Sequence, residues 1–117
     1  MANKMRGEVT VKLFGKTMTM RPTFQSMAAI EGRLGMGCIP LMRLIATQDF
    51  GVVHIVVVLT EGLKGAGYPA TENRVGEEVV EVGFTKFARP VSEFLRLALG
   101  ADKKEEDELG EDEVTKS

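Results

Sequence analysis

Few side chains in this sequence have the chemistry of an enzyme active site. Its 117 residues include one histidine, His54, and one cysteine, Cys38. A hydrolase of the nucleophile-and-base type needs both groups together with a third residue that orients the base. His54 lies within the apolar run 52–59, where we expect a core histidine, and a lone cysteine is most often a small buried side chain. The sequence therefore predicts no catalytic site.

Metal and cofactor sites lack the residues that they need. One histidine and one cysteine, with no carboxylates spaced to join them, supply too few ligands for zinc. The glycine-rich stretch 62–67 follows a predicted helix and contains neither a GK[ST] ending nor GxGxxG spacing, so it is more typical of a helix end than of a phosphate site. The acidic clusters at 77–78 and 105–108 do not have the ligand order of a calcium loop. We expect no metal and no cofactor.

Composition and charge describe a small intracellular globular protein. The apolar fraction is 44%, with seven methionines and no tryptophan, so the core depends on aliphatic and thioether side chains. Residues 1–100 carry a net charge of +3 and residues 101–117 a net charge of −5. The basic residues are scattered, unlike those of a nucleic-acid-binding surface, and the longest apolar run is less than half of the roughly 20 residues that span a bilayer. With a single cysteine and no signal-peptide pattern in residues 1–7, we expect a cytoplasmic protein that binds neither nucleic acid nor membrane.

An alternating pattern near the N-terminus predicts a β-hairpin over residues 8–21. Apolar and polar residues alternate from Val9 to Leu13, and the alternation resumes at Met18 and Met20 after a three-residue turn that contains a glycine. A hairpin alone is only marginally stable in water, so the following elements must cover its apolar face.

Helical spacing dominates the remainder up to residue 100. Thr23, Asp49 and Thr71 are predicted N-caps, and glycines follow most of the apolar stripes. The valine-rich stretch 52–58 is also compatible with a buried strand, although its spacing and its flanking residues favour a helix. Pro90 requires that the last helix either begins near residue 89 after a separate turn or is kinked. The predicted helices are about 24–34, 40–47, 50–64, 72–82 and 86–99.

The predicted fold class is α+β and mainly α: an N-terminal β-hairpin followed by four to five short helices, in a single small domain over residues 1–100. Residues 101–117 form an acidic tail with only two aliphatic side chains larger than alanine. Such a segment cannot bury enough apolar area to offset the entropy lost on ordering, so we expect it to be disordered.

Five short motifs, taken in order, resemble the gene transfer agent family of phage tail proteins. Members of that family have a GKTY-like hairpin turn, an LRPTF-like lead-in to a helix and a GL(R/K)GAG-like helix end. The resemblance covers roughly residues 6–100, and this chain departs from it at Met18, where an aromatic residue is common, and in its valine-rich third helix. The motifs are Arg6-Gly7-Glu8-Val9, Phe14-Gly15-Lys16-Thr17, Met20-Arg21-Pro22-Thr23-Phe24, Ile30-Glu31 and Glu61-Gly62-Leu63-Lys64-Gly65-Ala66-Gly67.

The resemblance implies a tail assembly chaperone of a phage, prophage or gene transfer agent, and it supplies no catalytic residues. Such a protein binds the long helical tape measure protein, keeps it soluble in the host cytoplasm and recruits tail tube subunits; a homo-oligomer is compatible with this role. The alternative is a structural minor tail or tail tube component, although a tube subunit would ordinarily need more sheet than one hairpin provides.

The residues suggest where partners would bind, with a structural alternative in each case. Methionines of the hairpin and phenylalanines of the last helical segment could form an adaptable apolar groove, although such side chains are more often core. The acidic tail could compete for basic partner surfaces, although a charge run is usually solvated surface. The candidate partner-binding residues are Met18, Met20, Phe84, Phe87, Phe94, Glu105, Glu106, Asp107 and Glu108.

Overall fold

A computed structural model describes residues 2–100 of the chain. Within them a 3-10 helix at Lys4–Arg6 precedes an antiparallel pair of strands, β1 (Val9–Leu13) and β2 (Lys16–Met20). The α+β, mainly helical fold class predicted from the sequence is confirmed, whereas the predicted acidic tail, 101–117, lies outside the described residues. The helices are α1 (Phe24–Leu34), α2 (Cys38–Ala46), α3 (Val52–Gly65), α4 (Glu72–Val82) and α5 (Ala88–Ala98), with a second 3-10 helix, Phe84–Phe87, between α4 and α5.

The hairpin turn has two residues rather than the three predicted. Leu13 pairs with Lys16, so Phe14 and Gly15 alone make the turn. Their φ angles of 56° and 71° are both positive, as in the type I′ turns whose twist matches that of the flanking strands. Positive φ is rare for a bulky residue such as Phe14, whose backbone N–H donates to Oε2 of Glu78 at 2.9 Å. This bond joins the turn to α4.

Helix α3 is the centre of the core. Every residue from 55 to 63 is buried, and the helix packs against β2, α1, α4 and α5. The N-cap is Gly51 rather than Asp49, and the Gly51 N–H donates to Nδ1 of His54 at 2.8 Å. His54 is therefore half-buried at the beginning of the helix, so its expected place in the core was wrong. Its ring accepts the N–H of the N-cap residue, as the third helical residue does in a capping box, while Gly51 itself provides no side-chain cap.

Both helical prolines lie in the first turn of their helices. Pro40 is the third residue of α2, which begins at Cys38 rather than at 40. Pro90 is the third residue of α5, which begins at Ala88 after the separate 3-10 turn and is therefore not the continuous helix 86–99. The first N–H groups of a helix have no intrahelical acceptor, so proline is tolerated there. Of the two arrangements considered for Pro90, the separate turn is the one observed.

Two of the sequence motifs meet where the end of the hairpin crosses the end of α3. The Arg21 N–H donates to the Gly62 carbonyl at 2.9 Å. A Cβ on Gly62 would lie 3.0 Å from Cβ of Met20, and a Cβ on Gly65 would lie 2.1 Å from the Arg21 carbonyl oxygen. The glycines therefore allow two backbones to touch. The motifs that resemble the tail protein family form this crossing.

Candidate partner-binding surfaces

The one thiol of the sequence lies in the hydrophobic core. Cys38 is buried, and its N–H donates to Oε2 of Glu31 at 2.9 Å. Burial, with the nearby Glu31 carboxylate, raises the pKa of the Cys38 thiol to about 11, so the thiol is a poor nucleophile at neutral pH. No group of three or more His, Cys, Asp or Glu within residues 2–100 could hold a metal ion. None of the helices in this part of the chain combines the length and apolar character needed to cross a membrane.

The structure buries most of the apolar candidates for partner binding. Met20, Phe87 and Phe94 are 0%, 4% and 0% exposed. They are covered because β2 packs on α3, the second 3-10 helix packs on α3 and α4, and α5 packs on β1 and α2. Met18 and Phe84 are partly buried against the same core. These positions therefore follow the core alternative, although Phe87 also lines a surface groove beside β1. The acidic candidates, Glu105, Glu106, Asp107 and Glu108, lie outside the described residues.

An apolar groove is open instead between α3 and α4. Val53 of α3 and Val80 of α4 are 49% and 67% exposed, and both line this groove of about 710 Å³. Val52 and Val56 extend the apolar lining. Gly76 adds room, because a Cβ built there would be in ordinary contact with Val56 at 3.8 Å. We call this the α3–α4 groove.

Charged side chains surround the α3–α4 groove. Arg33 of α1 forms a two-point ion pair with Glu72, Nε to Oε2 at 3.1 Å and Nη2 to Oε1 at 3.0 Å. Glu77 and Glu81 also line the groove, and neither has an ion-pair partner among residues 2–100. The rim is therefore acidic overall. An apolar lining with an acidic rim suits an amphipathic helix that has basic residues beside its apolar face.

The sequence contained a weak sign of this groove. Val53 is an apolar residue in the first turn of α3, ahead of the buried residues 55–63. Val80 follows the buried Val79 in a helix that is otherwise charged on its outer side. A single apolar side chain on an outer face is common on protein surfaces. Only the packing of α3 against α4 places the two valines on one groove.

Comparison of the sequence with protein-family models identifies the family of this chain. A family model described as phage tail tube protein, GTA-gp10, matches residues 6–101. No curated protein and no solved structure matches the chain. The matched range includes the hairpin, all five α-helices and the crossing at Gly62 and Gly65.

Proposed function

The chain belongs to the phage tail tube protein family GTA-gp10, and we propose that within this family it is a tail assembly chaperone that binds an amphipathic helix of the tape measure protein. One observation carries the proposal: the open, apolar α3–α4 groove, in which Val53 and Val80 remain exposed. Two parallel ridges of a helix pair leave a groove into which a third helix fits, and such grooves are a recurring mode of peptide recognition.

The chemistry of the α3–α4 groove supports an amphipathic helix as the partner. Fully burying a valine side chain contributes roughly 1.5 to 3 kcal/mol. Val53 and Val80 are 49% and 67% exposed, so covering them would contribute about 1 kcal/mol each. Glu77 and Glu81 on the rim would attract basic residues beside the partner's apolar face and would also set its direction. The resemblance of the sequence to tail assembly chaperones supplies a long helical protein, the tape measure protein, as that partner.

A structural role in the tail tube is the second candidate. The description of the family as a tail tube protein favours it. The sheet of the described residues has only two strands, whereas a tube subunit would ordinarily need more sheet. A tube component would remain in the finished particle, and a chaperone would leave before completion. The two candidates therefore differ in where the chain is found after assembly.

A pair of matched variants tests the groove. Val80→Lys places a charge in the groove, while Ile39→Lys places the same charge on α2, where Ile39 is 52% exposed and outside the groove. Each variant is co-expressed with the tape measure protein, and the soluble complex is quantified by affinity capture and size-exclusion chromatography. We expect Val80→Lys to reduce the recovered complex roughly tenfold, as for a loss of about 1.4 kcal/mol. Ile39→Lys should recover as much complex as the natural chain. Equal recovery with both variants would refute the α3–α4 groove as the binding site.

A further inference from the structure

The outer edge of β1 is open. The two-residue turn makes Leu13 and Lys16 a hydrogen-bonded pair, so in the alternating antiparallel pattern the backbone groups of Thr10 and Lys12 point away from β2. No residue in 2–100 forms a backbone hydrogen bond with them across that edge. Phe14, the next residue in the same series, has its N–H bonded to Glu78. The remaining edge is a short template for another strand.

The opposite edge of the hairpin is covered. The Thr19 N–H donates to the Tyr68 hydroxyl at 3.4 Å, and the Arg21 N–H donates to the Gly62 carbonyl at 2.9 Å. Both partners come from α3 or from the segment that follows it. Strand addition to the hairpin is therefore favoured at β1.

The open edge forms one wall of a second groove, of about 900 Å³, which we call the β1 groove. The facing wall consists of the second 3-10 helix and the first turn of α5. Lys12, Lys86 and Arg89 line this groove, and all three are exposed and have no ion-pair partner within residues 2–100. A peptide lying along β1 would therefore meet three available positive charges.

The acidic residues of the β1 groove are already engaged. Glu8 accepts the Asn3 N–H at 2.9 Å and pairs with Arg6 at 3.5 Å. Glu93 pairs with Lys4 at 3.8 Å. The charges left for a ligand are positive, so an acidic peptide is favoured. A second copy of β1 is disfavoured, because antiparallel pairing of the two edges would bring like charges close together.

The chain itself contains an acidic segment of suitable length and position. Residues 101–117 include eight acidic and three basic residues. They follow α5, whose C-terminal end lies beside the start of β1, since the Leu97 carbonyl carbon is 3.9 Å from where a Cβ would lie on Gly7. Seventeen residues can extend up to about 56 Å, and the five residues of β1 span about 17 Å.

We propose that the β1 groove binds the acidic segment 101–117 of its own chain, through the open edge of β1 and the positive charges of Lys12, Lys86 and Arg89. This contact blocks the exposed strand edge against non-specific pairing. The inference does not rest on the proposed chaperone function, which concerns the α3–α4 groove.

Amide hydrogen exchange in the full chain tests the proposal. In the natural chain at low salt, the Thr10 and Lys12 amides should exchange roughly tenfold more slowly than in a variant with Glu105, Glu106, Asp107 and Glu108 changed to Gln or Asn. At about 1 M salt, where the screening length is about 3 Å, the two proteins should exchange alike. The Thr19 amide, bonded to Tyr68, is an internal reference that should not change.

A second pair of variants tests whether the basic residues of the β1 groove bind the acidic segment. Lys86→Glu with Arg89→Glu should remove the protection of Thr10 and Lys12, whereas Arg43→Glu on α2, outside the β1 groove, should leave it intact. Protection that is independent of protein concentration supports binding within one chain. Protection that increases with concentration would assign the groove to a second copy and overturn the proposal. Identical exchange in the natural chain and the neutralised variant would overturn it as well.

Discussion

Replacing Gly65 by alanine should test the crossing between the hairpin and α3. A Cβ at this position would lie 2.1 Å from the Arg21 carbonyl oxygen and 3.1 Å from Oγ of Ser26. The nearer atom belongs to the backbone, so no side-chain rotation relieves the overlap. The chain between β2 and α1 must move away from α3, which also strains the bond from the Arg21 N–H to the Gly62 carbonyl.

The size of the effect follows from opposing terms. Alanine in place of glycine favours a helix by roughly 0.5 to 1 kcal/mol. Overpacking typically costs about 1 to 3 kcal/mol, and the loss of one backbone hydrogen bond costs about 1 kcal/mol more. The steric terms dominate, so Gly65→Ala should lower the free energy of unfolding by about 2 to 3 kcal/mol. For a domain of this size the melting temperature should fall by about 10 °C or more.

Gly32→Ala provides the matched control. Gly32 is exposed within α1, and a Cβ there would meet no atom within 4 Å. The substitution should raise the free energy of unfolding by about 0.5 to 1 kcal/mol. Urea unfolding followed by circular dichroism measures both variants. If Gly65→Ala were as stable as Gly32→Ala, the close approach of Arg21 to α3 would not exist and the explanation of the glycine motif would fail.

Three further predictions concern polar groups in or near the core. Thr60→Val should raise the free energy of unfolding by about 1 kcal/mol, because the buried Thr60 hydroxyl has no hydrogen-bond partner within residues 2–100. Chemical unfolding would detect the gain, and a loss of stability would show that this hydroxyl is hydrogen-bonded. His54→Ala should lower it by about 1 kcal/mol, since the Gly51 N–H loses its acceptor, and an unchanged unfolding midpoint would show that the contact contributes nothing. The pKa of Cys38 is raised to about 11 in the folded chain, so the thiol of the unfolded chain loses its proton at lower pH. The free energy of unfolding should therefore fall as pH rises from about 9 to about 11. Cys38→Ala should lack this contribution to the pH dependence of unfolding.

The sequence predicted the elements of the fold because their signals are local. Alternation from Val9 to Leu13 marked the first strand, and the bounds of α1 and α4 coincide with the predicted 24–34 and 72–82. Threonine caps begin both helices. The turn length was missed because nothing in the side chain of Phe14 indicates positive φ. The position of His54 was missed because an apolar run does not reveal which of its residues form the first turn.

The binding surfaces were less predictable, because exposure depends on the packing of distant elements. In the sequence, Phe87 and Phe94 could belong either to a binding surface or to the core, and the structure buries both of them. Val53 and Val80 are 27 positions apart and share a groove only because α3 packs against α4. Composition can estimate how much apolar surface remains uncovered, but tertiary packing determines where it lies.

The most direct test of the proposed function asks which tail protein the natural chain holds in solution. The chain is co-expressed with the tape measure protein and, separately, with the tail tube protein, and finished tails are analysed by mass spectrometry. A tail assembly chaperone predicts a soluble complex with the tape measure protein and absence of the chain from finished tails. No complex with the tape measure protein, together with stable presence of the chain in finished tails, would contradict the chaperone function and assign the chain to the tail structure.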